Sequence, residues 1–147
     1  MNTSTSEVFF YGLFMDEQVL AKKGVGGMNP RQVYLPDYEL KIGERSTLVP
    51  SNGKRAYGLV MTVTRDELPL LYDVPGLDDY VPEVVTVFMP SEQAIPGVEV
   101  FLLPASKLSG KNEAYARDLY ALAKRIGLPE DYLEELRAMA GMPASGS

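Results

Sequence analysis

The chain has 147 residues, 14 of them basic and 20 acidic, a net charge of −6, and 46% hydrophobic content; this composition fits one soluble domain with a substantial core. It contains no cysteine and no histidine, which excludes disulfides, thiol nucleophiles, the usual zinc sites and any Ser–His or Cys–His couple. The acidic balance disfavours phosphate backbones, and "AKK" and "AKRIG" fit cationic helix ends rather than a nucleic-acid patch.

In chain order, "MNTSTSEV" carries no basic leader, and the apolar run that follows is one strand long, too short to span a membrane. With no cysteine to oxidise, the expected setting is cytoplasmic. "EVFFYG" reads as a strand broken by Gly12. "MDEQVLAKKG" reads as a short helix, acidic at its start, cationic at its end and closed by Gly24. "GVGG" lacks the Gly-Lys-Ser/Thr ending of a phosphate loop and reads as a plain loop. "RQVYLPDYELKIGE" gives one or two strands, with Pro36 marking an edge or bend. "LVPSNGKRAYGLVMTVT" reads as a hairpin turning at Asn52-Gly53, with a strong strand over 55–64.

Thr64, followed by Asp66 and Glu67, predicts a capped short helix that ends before Pro75. "PEVVTVFMP" and "VEVFLLPA" predict two more strands. Two helices close the chain. The first places Tyr115, Leu119, Leu122 and Ile126 on one face, Gly127 suits its C-cap, and Pro129 opens the second. The expected organisation is one domain over 1–141 and a flexible tail over 142–147. Hairpins and short connections point to an α+β fold with a mixed sheet closed as a small barrel.

Three features bear on chemistry. "SNGK" has the Ser-x-x-Lys spacing of some serine hydrolases, but Asn-Gly demands a turn where that chemistry needs a helix start. Asp73, Asp78, Asp79 and Glu83 crowd one segment; they read as a solvated loop or as the source of one acid–base group. They lack EF-hand spacing, so no metal is expected. Tyr11 stands beside Gly12 at the end of the first strand, where a glycine can free the backbone to aim amide N–H groups at a ligand. A plain strand-to-helix turn is the competing reading.

Across nearly its whole length the chain resembles the γ-glutamylcyclotransferase-like family. "FFYGLFM" is similar to the family's first strand and Tyr-Gly-Ser-Leu loop, and "ERSTLVPSNGKRAYGLVMTVT" to its central hairpin. "LYDVPGLDDYVPEVVTV" resembles its Leu-Asp-x-x-Glu-Gly segment, and "YARDLYALAKRIGLPEDYLEELRAM" its C-terminal helices. The resemblance implies a small mixed β-barrel flanked by short helices, with a C-terminal helical hairpin and a pocket at the open end. It implies no cofactor, and a small γ-glutamyl or amino-acid-like ligand. In active members a glutamate moves a proton on the substrate's α-amine, which attacks the γ-carbonyl, giving 5-oxoproline and a free amine. Such chemistry suits a chain without His or Cys, because the nucleophile belongs to the substrate. By the same resemblance Tyr11, Gly12, Leu13 and Phe14 form the substrate-binding loop, with Leu13 in place of serine and Phe14 in place of leucine. The expected glutamate falls on Pro75, or on Val74 with a one-residue gap. Asp73 and Glu83 are the candidate catalytic substitutes. Three readings stay open: a divergent cyclotransferase, a binding module that keeps the pocket without the acid–base group, or the family fold with different chemistry, such as another acyl or amide transfer.

Overall fold

The computed structural model describes residues 4–142. Five strands close into a barrel in the order β1-β3-β2-β4-β5. They are β1 (Thr5–Phe10), β2 (Met28–Ile42), β3 (Ser46–Thr64), β4 (Val81–Phe88) and β5 (Ala94–Leu102). Four helices accompany them: α1 (Glu17–Lys22), α2 (Leu68–Tyr72), α3 (Glu113–Ile126) and α4 (Glu130–Met139). All pairings are antiparallel except the closing one, where Val8 of β1 meets Glu99 of β5 in parallel. The sheet is therefore mixed, as the sequence predicts.

Val8, Phe9 and Phe10 are all buried, which explains why β1 reads as an unbroken apolar run. Alternating side chains of one strand go to opposite faces, so an unbroken run means that both faces are covered. Gly58 lets β3 lie against β1 at this point. A Cβ there would stand 2.2 Å from the Phe10 carbonyl oxygen.

The hairpin departs from the sequence reading. The chain reverses at residues 43–45, where Gly43 N–H donates to Arg45 O at 2.8 Å, and not at Asn52-Gly53. β2 and β3 run as two long strands with a bulge between the pairs Pro36↔Arg55 and Tyr38↔Pro50. Asp37 (φ 63°) and Gly53 (φ 84°) are both left-handed there, and Gly53 N–H donates to Asp37 Oδ1 at 3.0 Å. The turn chemistry of Asn-Gly is real, but it serves a bulge, in which residues 51–54 of β3 stand opposite Asp37 alone of β2.

The helix signals hold. Asp16 caps α1 by accepting from Gln18 N–H. Thr64 and Glu67 form a reciprocal capping box before α2. Gly127 takes the left-handed C-cap of α3 (φ 92°), and Pro129 is the N-cap of α4. Leu119 and Leu122 of α3 enter the common core with Leu133 and Leu136 of α4. Of the tail expected over 142–147, Met142 N–H donates to Arg137 O at 3.1 Å, and residues 143–147 lie outside the described residues.

Candidate functional site

A cavity of ≈ 350 Å³ opens where the ends of β1, α2, α3 and the β2–β3 turn meet. All four residues of the expected loop line it: Tyr11, Gly12, Leu13 and Phe14. Tyr11 is buried, and its hydroxyl donates to the Phe101 carbonyl of β5 at 2.7 Å. Leu13–Met15 then forms a single 3-10 turn, closed by Met15 N–H on Gly12 O at 3.0 Å. Phe14 packs edge-on against Phe10 (6.1 Å) and Tyr72 (5.6 Å).

Gly12 is needed for space rather than for backbone freedom. Its φ of −119° is ordinary extended geometry, open to any residue. A Cβ would instead stand 2.4 Å from Tyr115 Oη and 3.2 Å from Ser46 Oγ. These two hydroxyls meet over the loop. Tyr115 Oη and Ser46 Oγ are 2.8 Å apart, and Leu13 N–H donates to Tyr115 Oη at 3.4 Å. On the other side Tyr80 donates to the Ser46 carbonyl at 2.5 Å, and Tyr72 stacks on Phe101 at 4.0 Å and 10°.

The phenols share one electrostatic condition. Burial is the leading cause that raises Tyr11, Tyr72, Tyr80 and Tyr115 above the ordinary tyrosine range, because a low-dielectric site disfavours phenolate. All four are therefore neutral at physiological pH and able to donate hydrogen bonds. None is a base.

The rim carries the charge. Arg45 pairs with Asp79 through two contacts of 2.7 and 3.3 Å and donates to Gly76 O at 2.6 Å. The guanidinium beside it holds the Asp79 carboxyl below the usual carboxylate range. Glu44, in the β2–β3 turn, is the one carboxylate on the lining, and its side chain is exposed.

Asp73 and Glu83 are placed elsewhere. Asp73 is the exposed C-cap of α2, and Glu83 is exposed on β4. Neither lines the cavity. Glu83 stands beside Tyr38, whose pKa rises through desolvation first and then through that carboxylate. Pro75 is exposed and Val74 half-buried, and neither is on the lining. Among the described residues no three acidic side chains converge as a cation site, and no helix is long and apolar enough to cross a membrane.

Sequence reasoning missed Ser46, Tyr72, Tyr80 and, as a site residue, Tyr115. Tyr115 was legible as part of the apolar face of α3. Nothing in its spacing says that the hydroxyl ends over Gly12, 103 positions earlier.

Known proteins bear on this architecture. A family model described as "Gamma-glutamyl cyclotransferase, AIG2-like" matches residues 8–121. Among solved structures, one titled "Gamma-glutamyl cyclotransferase" superposes with a TM-score of 0.75 at 19% identity, covering 98% of this chain and 93% of its own. A Homo sapiens protein titled as uncharacterized, loc79017, gives 0.75 at 20% identity, covering 97% and 91%. A yeast γ-glutamyl cyclotransferase titled as specific to glutathione gives 0.65 at 11% identity, covering 94% and 96%. At such identities the likeness is one of fold. No curated protein sequence matches the chain significantly. With the family match spanning most of its length, the chain belongs to the γ-glutamyl cyclotransferase, AIG2-like family.

Proposed function

We propose that this chain is a small-molecule-binding protein that keeps the family pocket and lacks its proton-transfer step. Its ligand is a γ-glutamyl amide or amino-acid-like compound with an apolar amine end. One observation carries the reading: the hydrogen-bonding groups facing one another over the Gly12 loop are two hydroxyls and a backbone amide, with no carboxylate among them. Cyclisation requires the substrate's α-ammonium to lose a proton before its nitrogen attacks the γ-carbonyl. Phenols held above their ordinary range do not accept that proton near neutrality, and losing a general base typically lowers the rate by ~10²–10⁴-fold. The Leu13 amide, the Ser46 and Tyr115 hydroxyls and the Arg45 guanidinium can instead donate to a ligand carboxylate. Phe14, Tyr72 and Leu77 offer an apolar wall to the amine end.

A second reading, a divergent cyclotransferase yielding 5-oxoproline, is favoured by Glu44, which does line the cavity. Asp73 and Glu83 could serve that reading only by moving from their exposed positions.

The test incubates purified protein with γ-glutamyl amides of graded amine size, reading thermal stabilisation and 5-oxoproline by mass spectrometry. Saturable stabilisation without product is the expected result. Product from the native chain that disappears in Glu44→Gln would replace the binding reading with the enzyme. Loss in Asp73→Asn or Glu83→Gln would assign the proton transfer there. Neither stabilisation nor product from any compound would reject the ligand class.

A further inference from the structure

A second cavity shares no lining residue with the first. It measures ≈ 210 Å³ and is bounded by β2, β3, the β4–β5 turn and the α3–α4 corner. Tyr34 organises it. The Arg55 guanidinium lies 4.2 Å from the centroid of the Tyr34 ring, and the Tyr34 hydroxyl donates to Glu92 Oε2. One ring thus holds a cation over its face and an anion at its hydroxyl end. The two charges attract one another across the site without touching. Among the described residues neither Arg55 nor Glu92 belongs to an ion pair.

The floor beneath them is fixed. Tyr34 stacks on Phe88 (5.7 Å, 24°) and meets Tyr57 at 5.8 Å, and Tyr57 packs edge-on against Tyr132 at 5.1 Å. Gln32 Nε2 donates to Ile126 O at 2.9 Å and ties the end of α3 to β2. Glu92 itself is left-handed (φ 70°) in the turn where its N–H donates to Met89 O at 2.8 Å. That turn position ordinarily selects glycine, and a strained residue held by a specific partner points to a role for its side chain.

A lone anion would gain from Arg55 and be repelled by Glu92; a lone cation would meet the reverse. Only a ligand carrying both signs gains from both groups. We propose that this cavity is a second binding site, which takes a free α-amino acid with an apolar side chain. Its carboxylate lies on Arg55, its ammonium on Glu92, and its side chain against Val33, Leu128 and Pro129. The volume suits so compact a ligand, since pockets for drug-sized molecules run to about 300–1,000 Å³.

The test titrates isotope-labelled protein with L-leucine and follows backbone NMR shifts. 4-Methylpentanoate and 3-methylbutylamine, which lack the ammonium and the carboxylate respectively, are the comparators. Saturable shifts at Tyr34, Tyr57 and Leu128 are expected, with affinity lowered ~10-fold or more for either comparator and in Arg55→Gln or Glu92→Gln, the scale of one charge-assisted hydrogen bond. Glu92→Gly relaxes the left-handed turn, so its failure to bind leucine would report the lost carboxylate rather than a damaged fold. Equal binding of leucine and either comparator would overturn the proposal. So would unchanged binding in Arg55→Gln, or no saturation up to the solubility of leucine. Shifts confined to Gly12, Ser46 and Tyr115 would place the ligand in the first cavity and refute the second site while leaving the binding reading standing.

Discussion

The loop at 11–15 and the segment at 73–83 both border the first cavity, and both carry residues that the sequence marks as functional. They meet opposite fates. Tyr11, Gly12, Leu13 and Phe14 all line the cavity, whereas the segment turns Leu77 and Tyr80 inward and leaves Asp73, Asp78 and Glu83 exposed. The remaining carboxylate, Asp79, is held by Arg45. Desolvation explains the difference: apolar and phenolic groups gain by entering a lined cavity, while an unpaired carboxylate loses its hydration there. None of the four carboxylates of this segment lies on the lining.

The strongest way to test that contrast is alkaline pH. Burial raises the four cavity phenols, so each folded pKa lies above the unfolded value of about 10. Their contribution to stability is complete below pH 10 and is lost as pH rises through the folded values. Ultraviolet titration should therefore show these phenols ionising only together with cooperative unfolding seen by circular dichroism. The chain has nine tyrosines, so more than five phenolates in a still-folded chain would mean that the cavity is wet. Next in size is Gly58→Ala. Its Cβ would meet the Phe10 carbonyl at 2.2 Å, a backbone atom that cannot swing aside. A loss of about 3 kcal/mol is expected, or a Tm fall of about 6–12 °C in thermal denaturation.

Gly12→Ala sharpens the comparison, because it strikes the cavity rather than the barrel. The added methyl meets the tip of Tyr115 and the Ser46 hydroxyl, both of them side chains that can shift. The expected cost is about 1–2 kcal/mol. Ligand-induced stabilisation should fall further than this, because the displaced phenol enters the binding volume. A Tm drop like that of Gly58→Ala, with ligand response retained, would mean that Gly12 serves the fold alone.

The same contrast sets how much was legible. Strand and helix signals are local: the capping box at Thr64, the Gly127 cap and the apolar run of β1 are all written in neighbouring residues. The loop at 11–15 was equally readable, although its glycine proved to be a matter of space and not of dihedral angle. The Asn52-Gly53 turn misled because the same left-handed geometry serves a hairpin or a bulge, and only the strand partner, Asp37, decides between them. Ser46, Tyr80 and Tyr115 were hidden because their site is made by convergence. Tyr115 Oη reaches Leu13 across 102 positions, a distance that no local pattern records.

The smallest expected effect bears most directly on function. Asp73→Asn and Glu83→Gln alter exposed groups off the cavity lining, so each should change stability by no more than about 0.5 kcal/mol. Glu83→Gln also removes a charge beside Tyr38 and should lower the pKa of that phenol, since the carboxylate is one of the causes that raise it. That shift in the ultraviolet titration would show that the substitution had reached its neighbour. Ligand-induced stabilisation should be unchanged in both variants if the cavity alone carries recognition. A loss of ligand response in either one, with Tm intact, would mean that its carboxylate turns into the cavity when the ligand arrives. In that case the acidic segment would be part of the site after all, and the contrast with the loop at 11–15 would end once the ligand binds.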